Sequence, residues 1–526
     1  MHLLRLLALG AITTLLPIAA AGAAGEASGD LDPTFGAGGR VSVSPAVEAV
    51  ASAAAVQPDG KIVLAGWADD VVPPPPPPPL PGRPAASSRD FLAVRLTANG
   101  ALDPTFGSGG AVRTPIDLGD RRNDQAWAVA SGLDGTVVLA GSALAPNGYV
   151  DLAIVRYTAS GALDTTFSGD GIWTFDVGDF DALSAVTVQA DGSIVAAGID
   201  GRASMLVVRL LRNGALDRSF GNGGIVTTRL GDPATLDEAS AVLPVGNKIV
   251  VAGAADGTRP LLSKFAVVRY LADGRLDRSF GSGGVVLSRG SFVERAWALA
   301  RAPSGKIVVA GHGSNGFRVA RYLPNGALDR TFGGGVATTS FSRADATAKG
   351  VAVQADGKVV VGGVAFSDAQ GDRFAVARYN DDGTLDRSFG IGGKATFDAG
   401  APLLGGGAAV FQRGAAPAGS DRLVVAGYGS LGGGMADHLV TVGVDLGPLG
   451  PPPPPPKRCR VPRLVGRPLA EARLRIRVTR CKVGRIRRAR SSRARGLVVS
   501  QRPRAGRLVP GGTRIDLVVS RGRKSR

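Results

Sequence analysis

The chain has 526 residues, 44% of them apolar, so it is too long for one ordinary domain and has ample material for a core. Glycine (77) and proline (34) are abundant while aromatic residues make up only 5%, which favours short strands joined by turns over helices. The formal charge of +18 is uneven, because residues 457–526 hold 24 of the 61 basic residues and only Glu471 and Asp516 of the 43 acidic ones. We therefore expect a near-neutral larger part and a basic C-terminal module.

Residues 1–24 have the pattern of a secretory signal peptide. Arg5 precedes an apolar run, and the small residues Ala21-Gly22-Ala23 follow it, as a cleavage site requires. We expect an exported protein, either secreted or associated with the cell wall. The alternative is an N-terminal membrane anchor, which needs about 20 apolar residues and stop-transfer charges. No later segment is apolar enough to predict a membrane span.

A motif, Leu-Asp-x-x-Phe, usually followed by glycine, recurs along most of the chain, and recurrence at such spacing indicates an array of supersecondary units. Three apolar runs of strand length lie between successive copies. One precedes a turn, one ends in Ala-Gly, and one ends in Arg-Tyr or Arg-Leu. The seven copies begin at Leu31, Leu102, Leu163, Leu216, Leu276, Leu328 and Leu385.

Turn residues predict how these runs pair. Asp-Gly pairs such as Asp191-Gly192 join the first run to the second, and pairs such as Asp273-Gly274 join the third run to the LD-x-x-F segment. Such dipeptides suit two-residue hairpin turns, in which φ is positive. Each unit is therefore predicted to be an antiparallel meander of strands a, b and c, with the LD-x-x-F segment as strand d.

The two ends of the array predict how it closes. The first motif copy, at Leu31, has no a–b–c set before it, and the last set, which ends near Asp445, has no copy after it. Six units are complete, and the two remaining halves make a seventh. We therefore predict an all-β fold for residues 31–445, a seven-bladed β-propeller closed by its N-terminal strand. Closure removes the edges that an open array would expose.

Within the motif, Asp277 and its counterparts are predicted to cap a turn by accepting backbone N–H bonds, rather than to act as catalytic acids. Phe280 and its counterparts should pack between blades. Small residues of strand a, such as Ala185 and Ala241, suit the crowded centre of a propeller.

The repeat resembles the delta-60 family of β-propeller domains. The resemblance is carried by the Asp-Gly turn, the Val-Ala-Gly strand and the LD-x-x-F-G segment, over about 415 residues. It implies a propeller fold and a surface role, with no general activity.

The variable connections, d–a and b–c, emerge on the same face, where we expect any ligand of the propeller to bind. One of them contains Pro73–Pro79, which should form a polyproline II spine. Four d–a segments also align a carboxylate just before strand a. We favour loop capping for these carboxylates, and the alternative is a site for calcium or a polar ligand at the channel mouth. The candidates are Asp124, Asp181, Asp237 and Glu294.

No catalytic constellation is recognisable. After signal removal only His312 and His438 remain, and there is no Gly-x-Ser-x-Gly elbow, phosphate loop or metal-spaced Cys/His set. We therefore predict a binding or scaffold protein without enzymatic activity or cofactor. Because propeller enzymes can use scattered carboxylates, an extracellular lyase or hydrolase acting on glycans is an alternative. A structural spacer is a third.

A proline-rich linker, 446–458, is expected to hold the basic module, 459–522, away from the propeller, and a basic tail, 523–526, follows. Within the module, residues 468–477 have a helical pattern, and strands are expected near Leu497 and Ile515.

The module resembles a PASTA domain, a fold associated with penicillin-binding proteins and bacterial serine/threonine kinases. Val461-Pro462, Val499-Ser500-Gln501 and Pro510-Gly511-Gly512 carry the resemblance. It implies a small α+β fold and binding to peptidoglycan or its muropeptide fragments.

Cysteine and arginine usage adds two predictions for this module. Cys459 and Cys481 are the only cysteines, and an even pair in an exported chain predicts a disulfide. The arginines are too dense for a merely solvated face, so we expect an anionic partner: peptidoglycan, another anionic wall polymer or lipid headgroups. We expect the chain itself to be a monomer. Nucleic acid is not expected, because the module lacks aromatic residues for stacking. The candidates are Arg473, Arg475, Arg477, Arg485, Arg487, Arg488 and Arg490.

Overall fold

The structure is a computed structural model, and its chain divides into two compact units, with the main boundary after Leu449. The predicted signal peptide, Pro73–Pro79 and nearly all of the linker from 448 onward lie outside the described residues. The described ranges are 28–46, 48–69, 88–119, 122–231, 235–256, 263–288, 294–313, 316–341, 345–366, 371–399, 403–415, 420–430, 438–447, 458–479, 481–510 and 512–523.

The first unit is built from short strands of mostly apolar, β-branched and alanine residues, as the composition favours. The strands of its first half are β1 (Arg40–Val43), β2 (Glu48–Val56), β3 (Ile62–Asp69), β4 (Ser88–Leu96), β5 (Ala111–Thr114), β6 (Arg122–Asn123), β7 (Gln125–Ser131), β8 (Val137–Leu144), β9 (Val150–Tyr157), β10 (Ile172–Phe175), β11 (Ala182–Val188), β12 (Ile194–Ile199), β13 (Met205–Leu210) and β14 (Ile225–Thr228).

The second half continues the same pattern, with a 3₁₀ turn at Gly333–Gly335. Its strands are β15 (Asp237–Val245), β16 (Lys248–Asp256), β17 (Ser263–Tyr270), β18 (Val285–Leu287), β19 (Arg295–Arg301), β20 (Ile307–Gly313), β21 (Gly316–Tyr322), β22 (Val336–Thr339), β23 (Ala346–Val353), β24 (Val359–Ala365), β25 (Arg373–Tyr379), β26 (Lys394–Phe397), β27 (Leu403–Gln412), β28 (Arg422–Gly429) and β29 (His438–Asp445).

These strands form seven antiparallel sheets, the blades. Blades 1 to 6 start at β2, β7, β11, β15, β19 and β23, and each runs through four strands, a to d; in blade 1 the short β6 also pairs with β4, in parallel. Blade 7 combines β27, β28 and β29 with β1 from the N-terminal end. In that pairing Arg40 lies opposite Val442 and Val43 opposite Leu439. The predicted seven-bladed propeller is confirmed, and the N-terminal strand completes its last blade.

Apolar cores lie between neighbouring blades. Phe280 is fully buried among residues of blades 4 and 5, as predicted for this position. The core that includes Phe35 joins Val424 and Leu439 of blade 7 to Leu64 of blade 1, so blade 7 packs on blade 1. Each of the seven motif phenylalanines is fully buried: Phe35, Phe106, Phe167, Phe220, Phe280, Phe332 and Phe389.

The prediction that the LD-x-x-F segment is strand d is wrong. Leu276 makes a single bridge to Tyr270, and the chain then turns, with the Phe280 N–H donating to the carbonyl of Asp277. Strand d starts after the glycine cluster, at Val285. The reason is that Gly281, Gly283 and Gly284 adopt φ of 54, 69 and 109°, which reverses the chain at low cost. The LD-x-x-F segment is thus the corner between strands c and d.

The predicted two-residue hairpins are also wrong for the Asp-Gly turns. In blade 1, Gln57 donates to the carbonyl of Lys61 and Gly60 donates to that of Gln57, which leaves a three-residue loop with Gly60 at φ 85°. This is a type I turn followed by a left-handed glycine. In blade 4, by contrast, Val245 pairs with Lys248, and Gly246-Asn247 forms a two-residue loop.

The second unit is a small α+β domain. A helix, α1 (Leu469–Val478), packs against a three-stranded sheet in which β31 and β34 are parallel and β32 is antiparallel to β34. Cys459 and Cys481 form the predicted disulfide, with Cα atoms 5.6 Å apart, and both lie in the core. The strands are β30 (Arg458–Arg460), β31 (Lys482–Ala489), β32 (Val498–Arg502), β33 (Leu508–Pro510) and β34 (Arg514–Ser520).

Candidate functional site

The corner of each blade is held by a buried ion pair. Asp277 Oδ1 accepts hydrogen bonds from the N–H and hydroxyl of Ser279, which confirms the predicted turn-capping role. Its Oδ2 lies 2.8 Å from Arg269 Nε and 2.5 Å from Lys248 Nζ. Burial alone would raise the pKa of Asp277, but the hydrogen bonds from Lys248 and Ser279 and the charge of Arg269 hold that pKa well below its ordinary range. Both oxygens of the Asp277 carboxylate are therefore occupied by contacts within the propeller.

The arginine of each pair also joins its blade to the next. Arg269 lies 4.4 Å from the ring centroid of Phe280 and donates to the carbonyl of Pro324 in blade 5. The same bond runs from blade 7 to blade 1, where Arg422 donates to the carbonyl of Ala98. A ring of hydrogen bonds therefore crosses all seven blade junctions. The other donors, with their acceptor residues, are Arg95 (Ala159), Arg156 (Arg212), Arg209 (Ala272), Arg321 (Asp381) and Arg378 (Leu446).

Blade 7 also has the corner ion pair, but its arginine comes from a different strand. Gly443 occupies the position of the strand-c arginine, and a Cβ there would lie 2.7 Å from the ring of Phe35. The cation comes instead from strand b, where Arg422 donates to Asp32 Oδ2 at 2.5 Å. Both side chains are fully buried. The motif copy at the N-terminal end is thus bound to the C-terminal end of the array.

The four aligned carboxylates do not form one cluster. Asp124 accepts from the N–H of Ile116 and of Leu144, which tie its d–a loop to the end of strand b. Asp181 likewise accepts from the N–H of Val177 and of Gly201. Among the described residues, no group of three or more His, Cys, Asp or Glu side chains is placed to hold a metal ion. This geometry favours loop capping, and the calcium site stays a prediction.

The other two carboxylates are also tied to their own loops. Asp237 Oδ2 accepts from the N–H of Leu230 at 2.6 Å. Glu294 accepts from the hydroxyl of Ser288 at 2.5 Å and pairs with Arg318 Nη2 at 2.9 Å. Asp124, Asp181, Asp237 and Glu294 are all between 0 and 2% exposed. Burial raises the pKa of Asp124 to about 6 and also raises the pKa values of Asp181 and Asp237.

Strand a of every blade has a β-bulge next to the centre of the ring. In blade 5, Ala296 pairs with Gly311 and Ala298 pairs with Ala310, so Trp297 has no partner on strand b. A bulge re-aims the side chain of its extra residue, and bulges are common beside binding sites. The seven bulged residues, which we call the bulge ring, are Ser52, Trp127, Ser184, Ser240, Trp297, Lys349 and Gly407.

The bulge on strand a explains why strand b of most blades contains an Ala-Gly pair. A Cβ on Gly311 would lie 1.9 Å from the carbonyl oxygen of Arg295, so only glycine allows the bulged strand to approach. In blades 1 to 6 the corresponding distance lies between 1.8 and 2.0 Å. The repeated glycine of strand b is thus the sequence signal of a bulge on strand a.

All seven residues of the bulge ring line a central cavity of about 890 Å³. Alanines of strand a, including Ala185 and Ala241, also line it, which agrees with the small residues predicted for the centre. At one end, Phe180 and Leu236 precede strand a and are 60% and 50% exposed. They belong to the d–a connections, on the face where ligand binding is predicted.

Among the described residues, two charged side chains line the cavity, Glu238 of blade 4 and Lys349 of blade 6. Glu238 of blade 4 lies 2.5 Å from Arg295 Nη1 of blade 5. Lys349 of blade 6 places its Nζ 3.7 Å from the ring centroid of Trp297, and the Arg295 guanidinium lies 5.4 Å from the same ring. Sequence reasoning missed this cluster. In blades 2 to 5 the sequence holds a positional signal, since the bulged residue follows the aligned carboxylate by three residues, as Trp297 follows Glu294. Lys349 of blade 6 follows Ala346 instead, so this signal does not mark it.

The predicted arginine candidates lie on α1, on β31 and just beyond β31, and all seven are exposed. Arg475 pairs with Glu471 at 2.9 Å. Within the part of the chain that the structure describes, the other six guanidinium groups have no ion pair or side-chain hydrogen bond; they belong to Arg473, Arg477, Arg485, Arg487, Arg488 and Arg490.

The second unit also exposes apolar side chains on α1, where Leu474 is 62% and Val478 73% exposed. Within the described ranges, no helix is both long and apolar enough to cross a membrane.

Family models match both units. The first is described as a domain of unknown function (DUF5122) β-propeller, and it matches residues 57–74, 83–106, 133–167, 189–220, 247–280, 302–332 and 354–389. These segments fall in blades 1 to 6. The second is the PASTA domain, at residues 460–521. No curated protein matches the chain in sequence.

Solved structures are similar at low identity. A GH43 endo-arabinanase from Bacillus licheniformis is 13% identical with a TM-score of 0.28, over 49% of this chain and 91% of that one. A protein of unknown function from Dyadobacter fermentans is 12% identical with a TM-score of 0.38, over 77% and 99%. YCF48 bound to D1 peptide is 8% identical with a TM-score of 0.40, over 79% and 97%.

These structural similarities carry no argument about function. The matched repeats, the seven blades and the C-terminal match establish the family: the chain is a DUF5122 β-propeller repeat protein with a C-terminal PASTA domain.

Proposed function

We propose that this protein is a cell-wall-associated binding protein without enzymatic activity. Its PASTA domain attaches it to peptidoglycan or another anionic wall polymer, and its propeller presents a ligand-binding site. PASTA domains in general bind peptidoglycan or β-lactams. Export through the N-terminal segment is part of this proposal and rests on the sequence pattern of residues 1–24.

The observation that carries the proposal is the set of six exposed arginines without ion-pair partners among the described residues of the PASTA domain. A solvated arginine face normally interleaves acidic residues, whereas Glu471 and Asp516 are the only acidic residues of this domain. β31 is an edge strand, and basic side chains there also prevent edge-to-edge association. Edge protection concerns β31 alone, so it does not explain the arginines on α1.

Binding is proposed in preference to catalysis because of the charges in the channel. Glycoside hydrolysis uses a pair of carboxylates. Among the described residues that line the cavity, Glu238 is the one carboxylate, and it is held by Arg295.

Pelleting with purified peptidoglycan tests the attachment with matched charge changes in the full-length protein. The variant Arg485→Gln, Arg487→Gln, Arg488→Gln should pellet much less than wild type, and the loss should resemble the effect of raised salt, which screens such contacts. The control removes the same charge from exposed corner arginines of the propeller, by Arg218→Gln, Arg278→Gln, Arg330→Gln. Equal losses in both variants would contradict a specific role for the PASTA arginines.

A further inference from the structure

The bulge ring is not uniform around the channel. Four of its members are small, and the large side chains are Trp127, Trp297 and Lys349. Because every blade places the bulged residue at the same point of the backbone, the differences between blades are differences of side-chain chemistry alone. Trp297 and Lys349 occupy adjacent blades and contact each other.

Lys349 is a cation without a protein anion. In the described part of the chain its ammonium group contacts the face of Trp297 and has no hydrogen bond or ion pair. The strand-b lysines differ, since each lies within 3.2 Å of a corner aspartate. Glu238, the nearest acidic group in the cavity, is already paired with Arg295. The strand-b pairs are Lys61–Asp103, Lys248–Asp277, Lys306–Asp329 and Lys358–Asp386.

The surroundings of Lys349 disfavour its charge. Burial and, to a smaller extent, the charge of Arg295 together lower the pKa of Lys349 to about 8, although Glu238 opposes the shift. At pH 7 the ammonium is therefore charged in a place that lacks a compensating anion. An anionic ligand that entered the channel would supply it. The other charged groups around this end of strand a are Glu294, Arg318, His312 and Asp345.

Two further polar atoms in the cavity wall are buried and lack a hydrogen-bond partner among the described residues. They are the Nε1 of Trp297 and the hydroxyl of Ser240. Ser240 is only 7% exposed and is a bulged residue that lines the cavity. Both atoms are covered by their neighbours, so a ligand in the cavity would reach them only after those neighbours shift.

The rest of the wall combines aromatic faces with amides and hydroxyls. Trp127 is 41% exposed, and Phe180 lies at the mouth. Asn123, Gln125 and Ser142 line the same cavity. The volume of this cavity falls in the range of small-molecule sites, which are concave and carry a few precisely positioned polar groups.

We propose that the central channel of the propeller binds an acidic oligosaccharide, with Lys349 contacting its carboxylate and the exposed Trp127 contacting a sugar ring. Aromatic faces with amide and hydroxyl donors suit a sugar, and the uncompensated ammonium selects one that carries a negative charge. The site lies in the propeller alone, so it does not depend on wall attachment by the PASTA domain.

Calorimetric titration of the full-length protein tests this at pH 7. The probes are trigalacturonate, a hyaluronan tetrasaccharide and N-acetylmuramic acid, with maltotriose as the neutral sugar and phenylacetate as an aromatic acid without sugar hydroxyls. We expect at least one acidic saccharide to bind at least tenfold more tightly than maltotriose and phenylacetate. Failure of all three, or equal binding of maltotriose, would overturn the proposal, and so would binding of phenylacetate alone.

A lysine variant separates a binding role from a structural one. Lys349→Gln should weaken binding of the acidic saccharide at least tenfold and leave the melting temperature unchanged or higher, since it removes an uncompensated charge. The matched control is Lys264→Gln, a strand-c lysine that does not line the cavity, which should bind as wild type. Unchanged binding by Lys349→Gln would contradict the proposal even if the saccharide binds.

The pH dependence gives a second readout. With a pKa of about 8, Lys349 loses its charge between pH 7 and pH 9, so affinity should fall roughly tenfold over that range. The titration of His312 cannot imitate this change, because burial lowers its pKa below the ordinary value. Lys349→Gln should abolish the dependence. A wild-type affinity that is constant from pH 7 to pH 9 would contradict the role of Lys349.

Discussion

Two positions recur in all seven blades, and they behave in opposite ways. The corner holds aspartate and phenylalanine in every blade, and even blade 7, where Gly443 replaces the arginine, recovers the cation through Arg422. The bulge ring keeps the same backbone in every blade but holds serine, tryptophan, lysine or glycine. A position that preserves its chemistry when the sequence changes is serving the fold. A position that preserves its geometry and varies its chemistry is available for a ligand.

The largest expected effect comes from the core of a corner. Phe280→Ala should lower the free energy of unfolding of the propeller by about 3–5 kcal/mol, because it opens a cavity between blades 4 and 5. Trp127→Ala, at a bulged position that is 41% exposed, should cost less than about 1 kcal/mol. Urea unfolding followed by circular dichroism measures both. A similar loss of unfolding free energy in the two variants would contradict the view that the corner serves the fold and the channel does not.

The closing ion pair comes next. Arg422→Met leaves the fully buried carboxylate of Asp32 without its cation, which should cost about 3–5 kcal/mol. Adding Asp32→Asn removes the uncompensated charge, so the double variant should be much more stable than the sum of the single losses implies. Additive losses in the same unfolding assay would contradict the role of this pair in closing the ring.

The loop-capping carboxylates predict a pH dependence. Burial raises the pKa of Asp124 to about 6 in the folded state, above the ordinary value near 3.9 of an unfolded chain. Ionisation of Asp124 therefore destabilises the fold above pH 6, and this penalty disappears as the pH falls through 6 toward 4. Relative to Asp124→Asn, wild type should gain up to about 3 kcal/mol between pH 7 and pH 4. A difference that stays constant with pH would contradict the shift.

The smallest expected effect concerns calcium. Because Asp124 and Asp181 are each occupied by backbone N–H groups of their own loops, calcium should not change the melting temperature relative to a chelator. A calcium-dependent rise, abolished by Asp124→Asn plus Asp181→Asn, would instead support the cation site.

Much of the fold could be predicted because the signal is repeated. The unpaired motif copy at Leu31 and the unpaired set ending near Asp445 were enough to predict closure, and β1 pairs with β29 as expected. The sequence pattern assigns the Leu-Asp-x-x-Phe segment to strand d because an Asp-Gly or Asn-Gly turn separates it from strand c. Three glycines with positive φ reverse the chain after this segment, so strand d begins only beyond them. The sequence pattern does not show this backbone property.

The channel was harder to predict for a physical reason. A period-two reading of strand a places Trp297 on the wrong face, because a bulge shifts the alternation by one residue. The glycine of strand b, Gly311, marks the bulge, but only the approach of the Arg295 carbonyl shows why. The contacts between Lys349, Trp297 and Glu238 join three blades and depend on the ring as a whole.

The most direct test of the proposed function compares the full-length chain with one that ends at Leu449, after the last residue of the propeller unit. Both are mixed with purified peptidoglycan and sedimented at low and physiological salt. We predict that the full-length chain pellets with the wall material, less so as salt rises, and that the shortened chain stays in the supernatant. Equal pelleting of the two chains would contradict attachment through the PASTA domain.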